Sequence, residues 1–269
     1  MPNYTKPGQN RQAGKDLREQ QDTQQLKTFT RWWNSRLQKR GITVTDLCEE
    51  IKPGVISMNL IELLSASVAG KYNKSPSSRF QMLENNGAFL AQLKSKNIRL
   101  VNIGPEDLTA GNRTLILGLT WTLIQHYEEV EKDELLDWVK EVTNDYEDVN
   151  VTNWHTSFND GLALCAVLNK LSPQSVDYAA TKALDKLARL NKAFDVAEQT
   201  FGVFKLLDPN DMVGVKTDEK SVTLYVAKLR QALAVCTETA AERAAKVAAE
   251  EVEEARKVEE ARLAEVARL

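Results

Sequence analysis

The residues best suited to chemistry are few, and their spacing decides what they can do. The chain has two histidines and three cysteines. His126 lies near the end of an apolar run, and His155 sits in Asn153-Trp154-His155-Thr156-Ser157-Phe158-Asn159-Asp160-Gly161. Neither adjoins a Ser or Cys in a local nucleophile motif, so both read as packed or capping histidines. Cys48, Cys165 and Cys236 are too scattered for a disulfide framework or a zinc site, and they suit a reducing compartment. Asp208-Pro209-Asn210-Asp211 opens like a calcium loop, but Met212 fills the third ligand place and Val213 stands where Gly is required. A turn with a helix cap is the better reading. The phosphate-cradling, dinucleotide and nucleophile-elbow motifs are all missing from the sequence. The chain therefore reads as a non-enzyme with no cofactor and no metal.

Trp32, Trp33, Trp121, Trp138 and Trp154 could stack on nucleic-acid bases, but they lie in or beside apolar helical stripes with sparse basic interleaving. They read as core, and no nucleic-acid partner is expected. The formal net charge of −3 divides unevenly: residues 1–23 carry +1, 24–131 carry +3, 132–236 carry −4 and 237–269 carry −3. A mildly basic module followed by an acidic one suits an acidic protein partner for the first. No stretch approaches the roughly 18 apolar residues of a membrane helix. The polar N-terminus lacks a signal-peptide core. A cytoplasmic protein is expected.

The elements that must position these residues are helical. Leu26, Phe29, Trp33 and Leu37 recur at helical spacing, with Trp32 widening the stripe, and Gly41 ends that helix. Residues 55–68 read as a buried helix. Another runs from about Ser78 to Lys96, with Phe80, Leu83, Phe89, Leu90 and Leu93 inward. After Gly104-Pro105, the segment Thr114–Tyr127 is apolar on every face and must be buried on most sides. Sustained period-two alternation is missing from residues 24–131, so the fold class is all-α.

A repeat organises the chain. Asn86-Gly87-Ala88-Phe89 is echoed by Asn191-Lys192-Ala193-Phe194, and Ile103-Gly104-Pro105-Glu106-Asp107-Leu108 by Leu207-Asp208-Pro209-Asn210-Asp211-Met212. Trp121 and Tyr225 follow the paired aspartates Asp107 and Asp211 at equal distance. The near-constant offset predicts duplication of one helical module: domain one over 24–131 and domain two over 132–236. Residues 1–23 read as a flexible tail. The acidic run Glu128–Asp133 reads as a partly helical linker. Residues 237–269 are rich in Ala, Glu, Arg and Val, and place Ala241, Val252 and Leu263 eleven apart. That is 3.67 residues per turn, the pattern of a nearly straight coil. The segment reads as the start of a coiled coil, with a solvated helix or a linker as alternatives.

These motifs carry a family resemblance. Lys27-Thr28-Phe29-Thr30-Arg31-Trp32-Trp33-Asn34-Ser35-Arg36-Leu37 resembles the opening helix of a calponin-homology domain, and Leu115–Ile124 the closing helix of a first-type copy. Trp154–Cys165 and Leu206–Met212 resemble a second-type copy. In that order the pair resembles the tandem actin-binding domain of the filamin, α-actinin and spectrin superfamily, and residues 98–127 look most like filamins. One departure is Pro53-Gly54, where first-type copies carry Asp-Gly before the apolar helix.

The resemblance implies two tandem calponin-homology domains, a C-terminal helical segment, and binding to F-actin through three surfaces. The first is the outer face of the opening helix: Gln25, Thr28, Arg31, Ser35 and Arg36. The second is the closing helix of domain one with its preceding loop: Leu108, Asn112, Arg113, Leu117 and Thr120. The third is the first helix of domain two: Glu134, Asp137, Lys140 and Glu141. Related second domains also bind phosphoinositide headgroups, which the acidity of this copy disfavours. A homodimer through the C-terminal helix would supply two heads for cross-linking. The alternative function is a calponin-homology scaffold or signalling adaptor that does not primarily bind actin.

Overall fold

The computed structural model describes residues 7–66, 70–213 and 216–235. Among them there are helices and turns but no strand. The first module contains α1 (Pro7–Leu37), α2 (Leu47–Glu50), α3 (Val55–Ser65), α4 (Arg79–Ser95), α5 (Pro105–Ala110) and α6 (Arg113–Glu128). The second contains α7 (Lys132–Thr143), α8 (Leu162–Leu171), α9 (Tyr178–Lys182), α10 (Lys186–Phe201), α11 (Pro209–Met212) and α12 (219–235). No helix among the described residues is long and apolar enough to cross a membrane. The coiled-coil rows of 237–269, and Cys236, lie outside the described residues.

One contiguous apolar core runs through both modules. In the first, α1 packs on α3 and α6, and α4 packs on α3 and α5. Phe29, Trp32, Trp33 and Leu37 are fully buried, so the stripe read from spacing is the core face. In the second, α8 packs between α7 and α10. The repeat is structural: Phe89 and Phe194 are both buried, and Pro105 and Pro209 both stand in the first turn of a short helix. There proline's missing N–H costs nothing, because the first-turn donors have no helical partner. Asp208 caps α11 by accepting from the Asn210 N–H at 3.0 Å, as expected of a turn rather than a calcium loop.

The two long apolar helices start the same way. Gly54 precedes α3 at φ 77° and Gly161 precedes α8 at φ 78°, a left-handed conformation that side chains disfavour. In the second copy Asp160 accepts from the Leu162 N–H at 3.0 Å. Pro53 cannot do this. Instead, the buried Asn85 donates to the Pro53 carbonyl at 2.9 Å and Asn86 donates to the Lys52 carbonyl at 2.8 Å. The turn is thus held from α4 rather than by its own side chain.

Three sequence expectations are corrected. Helix α1 starts at Pro7 rather than Gln24, because residues of the supposed tail find partners: Gln21 donates to the Lys216 carbonyl at 3.1 Å, and Arg113 to the Thr23 hydroxyl at 3.3 Å. Phe80 is 68% exposed. It lies two and a half turns before Phe89, on the opposite face of α4. The run Glu128–Asp133 is partly helical, as expected: Glu129 takes φ 49° and interrupts the helix between α6 and α7. Trp32, Trp33 and Trp154 are buried as expected, but Trp121 and Trp138 are only half-buried, each beneath a cation.

The thiols allow a direct check of packing. Cys48 and Cys165 are free and buried. Burial pushes the Cys48 thiol above its ordinary value and the Cys165 thiol up to about 12. The thiolate is the reactive form. Iodoacetamide at pH 8 is therefore expected to leave both unmodified in the folded protein and to modify both in urea, as read by peptide mass spectrometry. Modification of Cys165 at equal rates with and without urea would contradict this packing.

Candidate functional site

The candidate surfaces meet at the seam between the modules. Along α1, positions 24, 28, 31 and 35 fall on one face by helical spacing, with Lys27 beside them. That face points at the second module. Gln24 donates to the Asp211 carbonyl at 3.3 Å and accepts from the Asp218 N–H at 2.7 Å. Lys27 pairs with Asp211 at 2.9 Å. Arg31 donates to the Leu206 carbonyl at 3.3 Å and lies 3.7 Å from Asp208. The basic residues of α1 thus face an acidic turn of domain two, matching the opposite charges of the modules. The ion pairs are exposed and worth about 0–1 kcal/mol each.

The expected exposure of the first surface is corrected accordingly. Gln25 and Thr28 are buried. Ser35 is half-buried and donates to the Trp32 carbonyl at 2.7 Å, while Arg36 is ion-paired. Gln25 shares the side of α1 that carries Phe29 and Trp32 into the core. Thr28 lies between Gln24 and Arg31, on the face covered by domain two.

At the C-terminal end of α1 lies a charge cluster. Glu128, the last residue of α6, is 2% exposed. Its carboxylate accepts from Trp32 Nε1 at 2.6 Å, from Arg36, and from Lys228 of α12 at 3.0 Å. Gln231, also on α12, donates to the Glu128 main-chain carbonyl at 2.8 Å. Burial pushes the Glu128 carboxyl up, but Lys228, Arg36 and Trp32 outweigh it and hold the group below the ordinary carboxylate range.

On the second surface, Leu108, Leu117 and Thr120 are buried, and Asn112 and Arg113 are exposed. Leu108 and Leu117 face the core of their own module, and Thr120 accepts from Trp33 Nε1 at 3.2 Å. The Asn112 side chain caps α6 through the Leu115 N–H. Trp121 stacks on Phe29 with centroids 6.3 Å apart, and Lys220 of α12 sits 5.7 Å above its ring. The third surface is open: Glu134, Asp137, Lys140 and Glu141 are all exposed along α7. His126 packs edge-on to Tyr127, and His155 Nδ1 lies 3.1 Å from the Thr217 carbonyl at the approach to α12.

Gln24, Glu128, Lys220 and Lys228 were not singled out from sequence. Glu128 looked like part of an acidic linker run, and only its position at the end of a buried helix hinted otherwise.

Two helical modules, each opened by a Trp-bearing helix and closed by an apolar one, define a tandem helical interaction module. The calponin homology (CH) domain pattern matches residues 23–129 and again 129–234, so the chain belongs to the calponin homology domain family. It is 38% identical to α-actinin-3 of Mus musculus and of Homo sapiens over 239 residues, covering 85% of this chain and 26% of each relative. It is 36% identical to α-actinin-1 of Homo sapiens over the same length. The chain thus spans about a quarter of the length of these curated relatives. Its fold is similar to that of the actin-crosslinking core of Schizosaccharomyces pombe fimbrin, with a TM-score of 0.67 at 20% identity, over 78% of this chain and 48% of that one.

Proposed function

We propose that the chain binds filamentous actin through its paired calponin homology domains and contributes to actin cross-linking in the cytoplasmic cytoskeleton. The observation that carries this is the similarity to α-actinins across both copies. Arg31, Ser35 and Arg36 of α1, Asn112 and Arg113 at the start of α6, and Glu134, Asp137, Lys140 and Glu141 of α7 are the contact candidates. Gln25, Thr28, Leu108, Leu117 and Thr120 support them from beneath. Because domain two covers the face of α1 that carries Thr28 and Arg31, full use of the first surface requires the modules to separate, a shift between closed and open populations. Co-sedimentation with actin filaments, using microtubules as control, tests the reading. The expected result is pelleting with actin alone, weakened by salt because exposed charges are screened beyond roughly 10 Å at 0.1 M. Protein remaining in the supernatant with actin would favour the adaptor reading. Binding to phosphoinositide vesicles is not expected of the acidic second domain.

Cross-linking requires two heads, and residues 237–269 are the proposed dimer element. An alanine-rich seam would bury little area, at about 25 cal/mol per Å². The expected result is a weak, concentration-dependent monomer–dimer equilibrium, lost on deleting 237–269, with filament bundles forming only at high protein concentration. Sedimentation equilibrium showing a strict monomer at high concentration would remove the segment from the mechanism.

A further inference from the structure

We infer that Ser75 is a phosphorylation site, taken by a protein kinase that reads a serine followed by proline, and that its phosphate settles on the basic approach to α4.

The sequence holds two such steps, Ser75-Pro76 and Ser172-Pro173, and the structure places them differently. Ser172 caps the C-terminus of α8. Its N–H donates to the Leu168 carbonyl at 2.9 Å, and its own carbonyl accepts from the Ser175 N–H at 2.9 Å and the Ser175 hydroxyl at 2.7 Å. It is half-buried, and a phosphate there would meet the negative end of the helix dipole. Ser75 is exposed and lies ahead of the N-terminus of α4. A proline pushes the residue before it toward extended backbone, the form in which a kinase cleft takes up a chain. The loop is pinned on both sides of Ser75. Asn85 holds the Asn73 main chain by its N–H and its carbonyl, and Gln81 Oε1 accepts from the Ser77 and Ser78 N–H groups. Asn73 Oδ1 accepts from the Ser75 N–H at 2.9 Å. The neighbouring hydroxyls are engaged: Ser77 donates to Gln81, and Ser78 Oγ accepts from the Gln81 N–H to cap α4. The Ser75 hydroxyl takes no part in that network, so modifying it leaves the cap intact. Lys71, Lys74 and Arg79 are exposed along the same loop, with no acid among residues 71–79 and none in the first turn of α4. A phosphate brings a charge of about −1.5 to −2 at pH 7. It therefore relieves the repulsion among these cations and suits the positive end of the helix.

In the transfer, Ser75 Oγ attacks the γ-phosphorus of ATP. The new Oγ–P bond forms as the bond from that phosphorus to the bridging oxygen of the β-phosphate breaks. ADP leaves with the bridging oxygen, and the hydroxyl proton passes to the catalytic aspartate of the kinase. The test incubates the full chain with ATP and a cyclin-dependent kinase, a proline-directed enzyme, and maps the phosphate by peptide mass spectrometry. A single phosphate is expected at Ser75, with Ser172 unmodified. Ser75→Ala should lose the phosphate yet melt like its parent, because that hydroxyl holds nothing in place. Pro76→Ala should lose it as well. The phosphorylated chain should melt slightly above its parent at low salt and level with it at high salt, where exposed charges are screened. A folded chain that takes up no phosphate, or takes it at Ser77, Ser78 or Ser172 in place of Ser75, overturns the site. Phosphate at Ser75 that lowers the melting point overturns its seat on the approach to α4.

Discussion

Trp33→Ala is expected to destabilise the first module by about 3–5 kcal/mol, the cost of truncating a buried Trp. Trp33 is fully buried, and its Nε1 donates to Thr120 Oγ1 at 3.2 Å. Truncation leaves both a void between α1 and α6 and a buried hydroxyl without that donor, two costs that add. For a module of about 100 residues, each kcal/mol moves the midpoint by about 4–8 °C, so the first module should melt well below the second. Calorimetry of the variant should resolve two transitions. Trp138→Ala serves as the contrast, because Trp138 is half-buried beneath Arg230 at 5.5 Å and loses less contact. Equal effects from the two substitutions would contradict the assignment of Trp33 to the core and Trp138 to its margin.

Gly54→Ala is expected to be nearly as damaging, for a different reason. A Cβ at Gly54 would stand 2.6 Å from Asn85 Cβ and 3.1 Å from the Asn86 nitrogen, on a backbone at φ 77°. The left-handed conformation costs a side chain about 1–2 kcal/mol. Forcing the contact adds about 1–3 kcal/mol of overpacking. Asn85 cannot simply retreat, since its amide holds both the Pro53 and Asn73 carbonyls. Urea unfolding should show the lowered midpoint. Gly118→Ala, on the exposed face of α6 where an added Cβ meets nothing within 4 Å, should be neutral or mildly stabilising. A Gly54→Ala protein as stable as its parent would show that the turn yields where the geometry says it cannot.

The two substitutions mark how far a sequence can be read. The pattern Phe29, Trp33, Leu37 identified the core face of α1, because burial of a helix stripe is enforced by spacing. Trp121 and Trp138 have the same residue type in equally apolar runs, yet they sit at the margin under Lys220 and Arg230. Residue type reports the tendency to be buried; how far a side chain is buried depends on what arrives from a distant segment. Phe80 shows the same limit, since counting it into α4 ignored that it falls half a turn out of phase with Phe89. The N-terminal helix is a further case: residues 14–23 have no apolar period of their own, and their partners, Lys216 among them, are remote in the chain.

The amino-acid sequence alone determined the all-α class, the duplication, the helix-starting turns at Gly104-Pro105 and Asp208-Pro209, and the family resemblance. Each follows from local periodicity, backbone restriction or short motifs, which act over a few residues. The tertiary structure decided which faces stay open. Gln24, Lys27 and Arg31 sit on a helix face that spacing leaves free, and residues 206–218 of the second module engage it. Glu128 was read as one acid in a linker, and it is a buried hub because Trp32 and Arg36 lie beneath it and Lys228 reaches it from the other domain. Such placements depend on charges and surfaces about a hundred residues apart meeting in space, a coupling that no local pattern encodes.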